Sequence, residues 1–159
     1  MRKFFGSIGS VSRVTIESQA LKSNLLGDPS GRVVDVYVPG GHDGQGLPLL
    51  VDLVGFTSSG LSQTNWVGFR ENLPERLDRL IGEQRMSPVV VAFPDCFTRL
   101  GGNQYINSAS IGAWEDFLLH EMPPAIEQRF GCGGTGRRGV FGKSSGGRPV
   151  IPAIWASRW

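Results

Sequence analysis

The run GVFGKSSGG, residues 139–147, has the residue types and spacing that could do chemistry, and it supports two kinds. Gly-Lys-Ser ends the phosphate-binding pattern G-x-x-x-x-G-K-[ST], in which backbone amides and the lysine cradle phosphate. The frame Gly142-Lys143-Ser144-Ser145-Gly146 is also G-x-S-x-G, a tight strand-to-helix turn that presents a serine hydroxyl as a nucleophile. The phosphate loop requires glycine five places before Gly142, where this chain has Arg137. It would also have to run through Val140 and Phe141, which read as strand. The second frame has a short apolar strand ending at Gly142 and small residues after it, so Ser144 is the candidate nucleophile.

A serine that attacks an acyl carbon needs donors for the oxyanion and a base for its proton. The amide of Ser145, directly after the nucleophile, is one natural donor. DLVGFTSSG, residues 52–60, closes an apolar strand at Gly55, and the Phe56 amide is the natural second donor. The same segment reads equally as an ordinary strand-ending turn. The base is harder to find. Nothing after Ser144 is Asp, Glu or His, and both histidines precede it, His42 in the turn PGGHDG and His120 in a helix. His42 reads as an exposed turn residue and His120 as structural or solvent-facing. Asp95 follows a strand, where it could line a pocket or sit in a surface Pro-Asp turn.

The elements that must position these residues follow from periodicity. Residues 12–21 and 31–41 alternate apolar and polar, as half-buried antiparallel strands do. LPLLVDLVGF, residues 47–56, and SPVVVAFPDC, residues 87–96, are nearly continuous apolar runs, the pattern of central parallel strands buried on both faces. Between them, in residues 65–84, Leu73, Leu77, Leu80 and Ile81 fall at helical spacing with charges opposite. In residues 111–130, Trp114, Phe117, Leu118, Met122, Ala125, Ile126 and Phe130 share a helical face, with Pro123-Pro124 kinking or restarting the helix. Residues 137–142 then form a short strand leading into the serine turn. The order β-β-β-α-β-α-β predicts one α/β sheet with right-handed crossovers. GCGGTG, residues 131–136, matches the dinucleotide pattern G-x-G-x-x-G, but it follows a helix and opens a strand, the reverse of what that fingerprint needs.

Length and charge narrow the partners. A chain of 159 residues is one domain, short for a large α/β enzyme. Sixteen basic and fourteen acidic residues give a net charge of +2 without a block of one sign, so neither nucleic acid nor an anionic membrane is the expected partner. A small molecule is. Cys96 and Cys132 lack metal-ligand or disulfide spacing and read as buried free thiols, with no metal site expected. The N-terminal MRKFFGSIGS is broken by Gly, Ser and Arg13 before a signal-peptide core forms, and no run reaches the roughly 18 apolar residues of a membrane span. The expectation is a cytoplasmic protein with a weakly ordered start at residues 1–13.

Beyond these local readings, the run from Tyr105 to the serine turn resembles the esterase family that includes S-formylglutathione hydrolase (esterase D), enterochelin esterases and mycolyltransferases. The likeness rests on Tyr105 and Ser108 before the helix, on Trp114 with Glu121, on Pro-x-x-Ile-Glu from Pro123 to Glu127, and on the Arg138 strand with its turn. Asn65-Trp66 and VVVAFPDC add to it. The resemblance covers residues 14–147. It implies an α/β-hydrolase fold: the N-terminal half of a mostly parallel sheet with crossover helices, ending just after the nucleophile elbow. It also implies hydrolysis of carboxylic esters or thioesters, or acyl transfer, without a cofactor. By motif match Ser144 is the nucleophile, and the Phe56 and Ser145 amides form the oxyanion hole.

The pattern of that family breaks after Gly147. Its members place an acid and then a histidine after the serine, and this chain has neither there, so the expected activity is impaired. Residues 148–159, RPVIPAIWASRW, carry two prolines where a helix belongs and read as an atypical, out-of-frame tail on a truncated hydrolase. An exposed sheet edge and self-association through it are expected. The alternative reading is a non-catalytic binding or interaction module on the same half-sheet.

Overall fold

The computed structural model describes residues 8–147. The atypical tail, residues 148–159, and residues 1–7 of the expected weakly ordered start lie outside the described residues. Among the described residues, five strands and two crossover helical segments follow the predicted order, with one added two-stranded hairpin. Strand β1 (Ser10–Glu17) pairs antiparallel with β2 (Gly31–Val38), as their alternation predicts. The apolar runs become β3 (Leu49–Leu53) and β4 (Val90–Pro94), which pair in parallel at the centre. The short pair β5 (Asn107–Ser108) and β6 (Gly112–Ala113) forms a separate hairpin absent from the sequence-based expectation. Strand β7 (Arg138–Gly142) lies parallel to β3 and ends at the serine turn. The main sheet runs β1-β2-β4-β3-β7.

Each sheet face carries its own core. Strand alternation sends Leu49, Val51 and Leu53 to one face, where they meet Trp114, Phe117 and Ile126. Tyr37, Val91 and Phe93 pack on the other face with Leu77 of helix α1 (Leu73–Gly82). That helix is shorter than the periodic window of residues 65–84. Its start is fixed at Asn72, whose side chain accepts from the Glu75 amide while Glu75 accepts from the Asn72 amide, both at 2.9 Å. Pro74 in the first turn costs nothing there, because its missing N–H has no helical partner to lose.

The second crossover solves the Pro123-Pro124 problem with a wide turn. Helix α2 (Trp114–Asp116) passes into a π-helical segment (Phe117–Glu121) and then α3 (Met122–Phe130). The Met122 amide reaches back to the Phe117 carbonyl, and the prolines occupy the first turn of α3, where no donor is required. The helix is restarted without losing its apolar face. Gly131, at φ 64°, closes α3 in the left-handed conformation that glycine adopts without strain.

Polar ties register these layers against each other. Glu121 accepts from the amides of Gln19 and Ala20, both at 3.0 Å, and from the Ser18 hydroxyl, so the second crossover is bound to the β1–β2 connection. Glu127 of α3 receives two bonds from the Arg138 guanidinium, at 2.5 and 2.6 Å, and a third from the Gly134 amide at 3.0 Å. Trp114 is buried, with the Arg32 guanidinium 4.7 Å over its ring and Phe117 edge-on at 6.0 Å.

Candidate active site

The serine turn is built by backbone contact between β7 and the end of β3. The Lys143 amide donates to the Leu53 carbonyl at 3.3 Å, and the Gly146 amide donates to the Lys143 carbonyl at 3.1 Å. A Cβ at Gly142 or at Gly146 would overlap the Leu53 carbonyl oxygen, so both outer positions of G-x-S-x-G must be glycine for the strands to approach this closely. Ser144 itself sits at φ 57° and opens the 3-10 turn Ser144–Gly147. A non-glycine residue in that region carries strain on the order of 1–3 kcal/mol, and such strain collects at functional sites. Ser144 is exposed, whereas Ser145 behind it is buried.

The loop after β3 passes directly beside this turn. A Cβ on Gly55 would lie 3.4 Å from the Ser144 Cβ and 3.9 Å from its Oγ. The Phe56 carbonyl accepts from the Gly102 amide at 2.7 Å, and Gly102 has no room for a side chain against Phe56. Tyr105 donates its hydroxyl to the Val54 carbonyl at 2.5 Å, and Asn103 donates to the Cys96 carbonyl at 2.7 Å. The segment after β4 therefore clamps the segment after β3. Tyr105, Glu121 and Glu127, each part of the sequence resemblance, are thus the ties that hold the layers around the turn.

A cleft of about 670 Å³ opens beside Ser144, lined also by Phe56, Lys143, Arg76, Phe141 and Asp52. The structure brings Ser144 and Phe56 to one cleft, with Ser145 next in the turn. It does not bring the histidines there: His42 and His120 are exposed, and neither lines the cleft. Asp95 also stays out of it, since its carboxylate accepts from the Ser59 hydroxyl at 2.8 Å and the Phe97 amide at 3.2 Å. Asp95 is thus the turn residue, the second of its two readings.

Asp52 is the site residue that the sequence reading passed over. It is 4% exposed and its Oδ2 has no hydrogen-bond partner among the described residues. Burial pushes its pKa up to about 6, since the charged form loses hydration. A single acidic residue inside the apolar run LPLLVDLVGF was the signal available in the sequence. Burial likewise pushes the thiol of Cys96 far up and that of Cys132 up to about 11, so both are held as neutral thiols.

The architecture can be compared with known proteins. No family model matches the chain, and no curated protein does. Solved structures match it closely. A ferulic acid esterase superposes with a TM-score of 0.67 at 20% identity, over 89% of this chain and 51% of its own. The S-formylglutathione hydrolase of Agrobacterium tumefaciens gives 0.67 at 20% identity, over 96% of this chain and 55% of its own. This chain has the α/β-hydrolase fold. A ferulic acid esterase from Anaeromyces mucronatus gives 0.62 at 16% identity, over 92% of this chain and 52% of its own. The α/β-hydrolase fold seen here therefore spans about half the length of the solved structures it matches.

Proposed function

We propose that this chain is a serine acyl hydrolase or acyltransferase acting on carboxylic esters or thioesters, with Ser144 as nucleophile and the Phe56 and Ser145 amides as oxyanion donors. One observation carries the reading: Ser144 is held at φ 57° on a turn that faces the Phe56 loop across a shared cleft. The Ser144 Oγ attacks the acyl carbon, the two amides receive the developing oxyanion, and collapse of the intermediate expels the alcohol or thiol with a proton. Water then releases the acyl group, or a second alcohol accepts it. The reaction as written uses no cofactor.

The rate is expected to be low. Among the described residues no histidine lines the cleft, and a serine without a base relies on the oxyanion donors and binding alone. The solved structures that share the fold are named for ferulic acid and S-formylglutathione, so an aryl-acyl ester and an acyl thioester are the first substrates to try. Nitrophenyl ester turnover by the wild type that vanishes in Ser144→Ala supports the hydrolase; equal rates in both make the chain a binding module.

Two further parts of the reading concern context. Strand β7 pairs with β3 on one side and forms a sheet edge among the described residues, which suits self-association by edge pairing. Sedimentation at rising concentration tests this: a single monomeric species throughout would contradict it. No helix among the described residues is long and apolar enough to cross a membrane. The two free, buried cysteines suit a reducing compartment such as the cytoplasm.

A further inference from the structure

The reaction above gives Asp52 no task, yet its position in the cleft is specific. Alternation along β3 puts Asp52 on the face of Leu50, and the strand register sets it opposite Phe141. Its carboxyl is buried, Oδ2 has no hydrogen-bond partner among the described residues, and the residue lines the same cleft as Phe56 and Ser144. A buried acceptor left empty destabilises the protein unless a donor is supplied, and the cleft is the side from which a donor can arrive. Val54, Leu73 and Phe141 give the cleft apolar surface on which the carbon chain of an arm can lie, alongside polar residues such as Thr57 and Gln63.

The depth and charge of the channel define what fits. Asp52 lies three residues before Gly55, where an added Cβ would fall 3.4 Å from the Ser144 Cβ, so the two are separated by at most roughly 10 Å along the chain. Allowing for the aspartate side chain and one hydrogen bond, this corresponds to an arm of about six bonds from the reacting carbonyl. Arg76 and Lys143 also line the cleft, which disfavours a cationic arm, and Tyr105 is the further titratable group coupled to Asp52. With a pKa near 6, Asp52 is mainly a carboxylate at neutral pH, the stronger acceptor.

We propose that Asp52 is a specificity-determining residue of the Ser144 site, accepting the terminal hydroxyl of an ester arm lodged in the cleft. The inference rests on Ser144 as the nucleophile. It is tested with two fluorophosphonates of equal length, one with an arm ending in hydroxyl and the other in methyl. In either case the Ser144 Oγ–P bond forms, the P–F bond breaks, fluoride leaves and the serine proton passes to solvent. The wild type is expected to react about tenfold faster with the hydroxyl reagent. Asp52→Leu, which removes the buried carboxyl, should erase that preference, read as the ratio of the two rates, and Asp52→Asn should retain part of it. Equal wild-type rates, or a preference that survives Asp52→Leu in a cooperatively folded variant, overturns the proposal. An independent reading needs no covalent reaction: an unreactive ether of matching length ending in hydroxyl should shift the Asp52 carboxyl carbon resonance and its methyl-ended analogue should not. Absence of labelling with that shift present would reject Ser144 as nucleophile and keep Asp52 as a hydroxyl site; absence of the shift rejects the site itself.

Discussion

Gly146 and Leu53 meet backbone to backbone: a Cβ on Gly146 would overlap the Leu53 carbonyl oxygen, and the backbone behind Ser145 would have to move. This contact fixes the height of the serine turn above β3 and so its distance from the Phe56 loop. Gly146→Ala should lower stability by about 1–3 kcal/mol, the usual cost of overpacking, and should suppress covalent labelling of Ser144 as well. Thermal melting and labelling measured on the same preparation check both. Wild-type values for the pair would mean that the turn is looser than the contact implies.

The Glu127–Arg138 pair ties α3 to the strand that delivers the turn, and it titrates. Burial alone would raise the Glu127 pKa, but the bonds from Arg138 and the Gly134 amide and the Arg138 charge outweigh it and hold the pKa below the ordinary glutamate range. A depressed folded pKa contributes stability above the unfolded value, about pH 4.3, and that contribution is lost as pH falls further. Glu127→Gln should therefore cost about 1–3 kcal/mol at neutral pH, with the gap to wild type closing in acid. Denaturant melts at several pH values read this out. A gap that persists unchanged in acid would show that the pair's charge is not what stabilises it.

Asp52 has the opposite sign. Its folded pKa is raised to about 6 by burial, so the folded state favours the protonated form and stability falls as pH rises from about 4 to 6. The two-unit difference is worth on the order of 3 kcal/mol above that window. Asp52→Asn should match the wild type near pH 4 and exceed it near pH 7.5. A variant less stable than the wild type at pH 7.5 would mean that the carboxylate has a stabilising partner.

Much of the fold was legible because the pattern is strong where burial is one-sided or complete. The alternation of β1 and β2, the apolar runs of β3 and β4 and the leucines of α1 each survived into the structure. Boundaries were less legible where a local cap decides them. Asn72 starts α1 only because it closes a reciprocal hydrogen-bond pair with Glu75, so the residues before it, though part of the periodic window, stay outside the helix. The β5–β6 hairpin is held by two residue pairs, too few to leave a period. At the site, G-x-S-x-G identified the turn, but the reason for its glycines lies in the Leu53 carbonyl on another strand. Asp52 was hidden by its neighbours: the apolar run defined the strand, and which residue of it faced the cleft depended on tertiary packing.

Mass spectrometry of the fluorophosphonate-treated chain shows most directly whether the turn presents Ser144 as a nucleophile. One phosphonyl adduct is expected on the peptide containing Ser144, absent from Ser144→Ala and reduced in Gly146→Ala. A wild-type chain that is folded but unmodified, or an adduct of equal yield in Ser144→Ala, would contradict it.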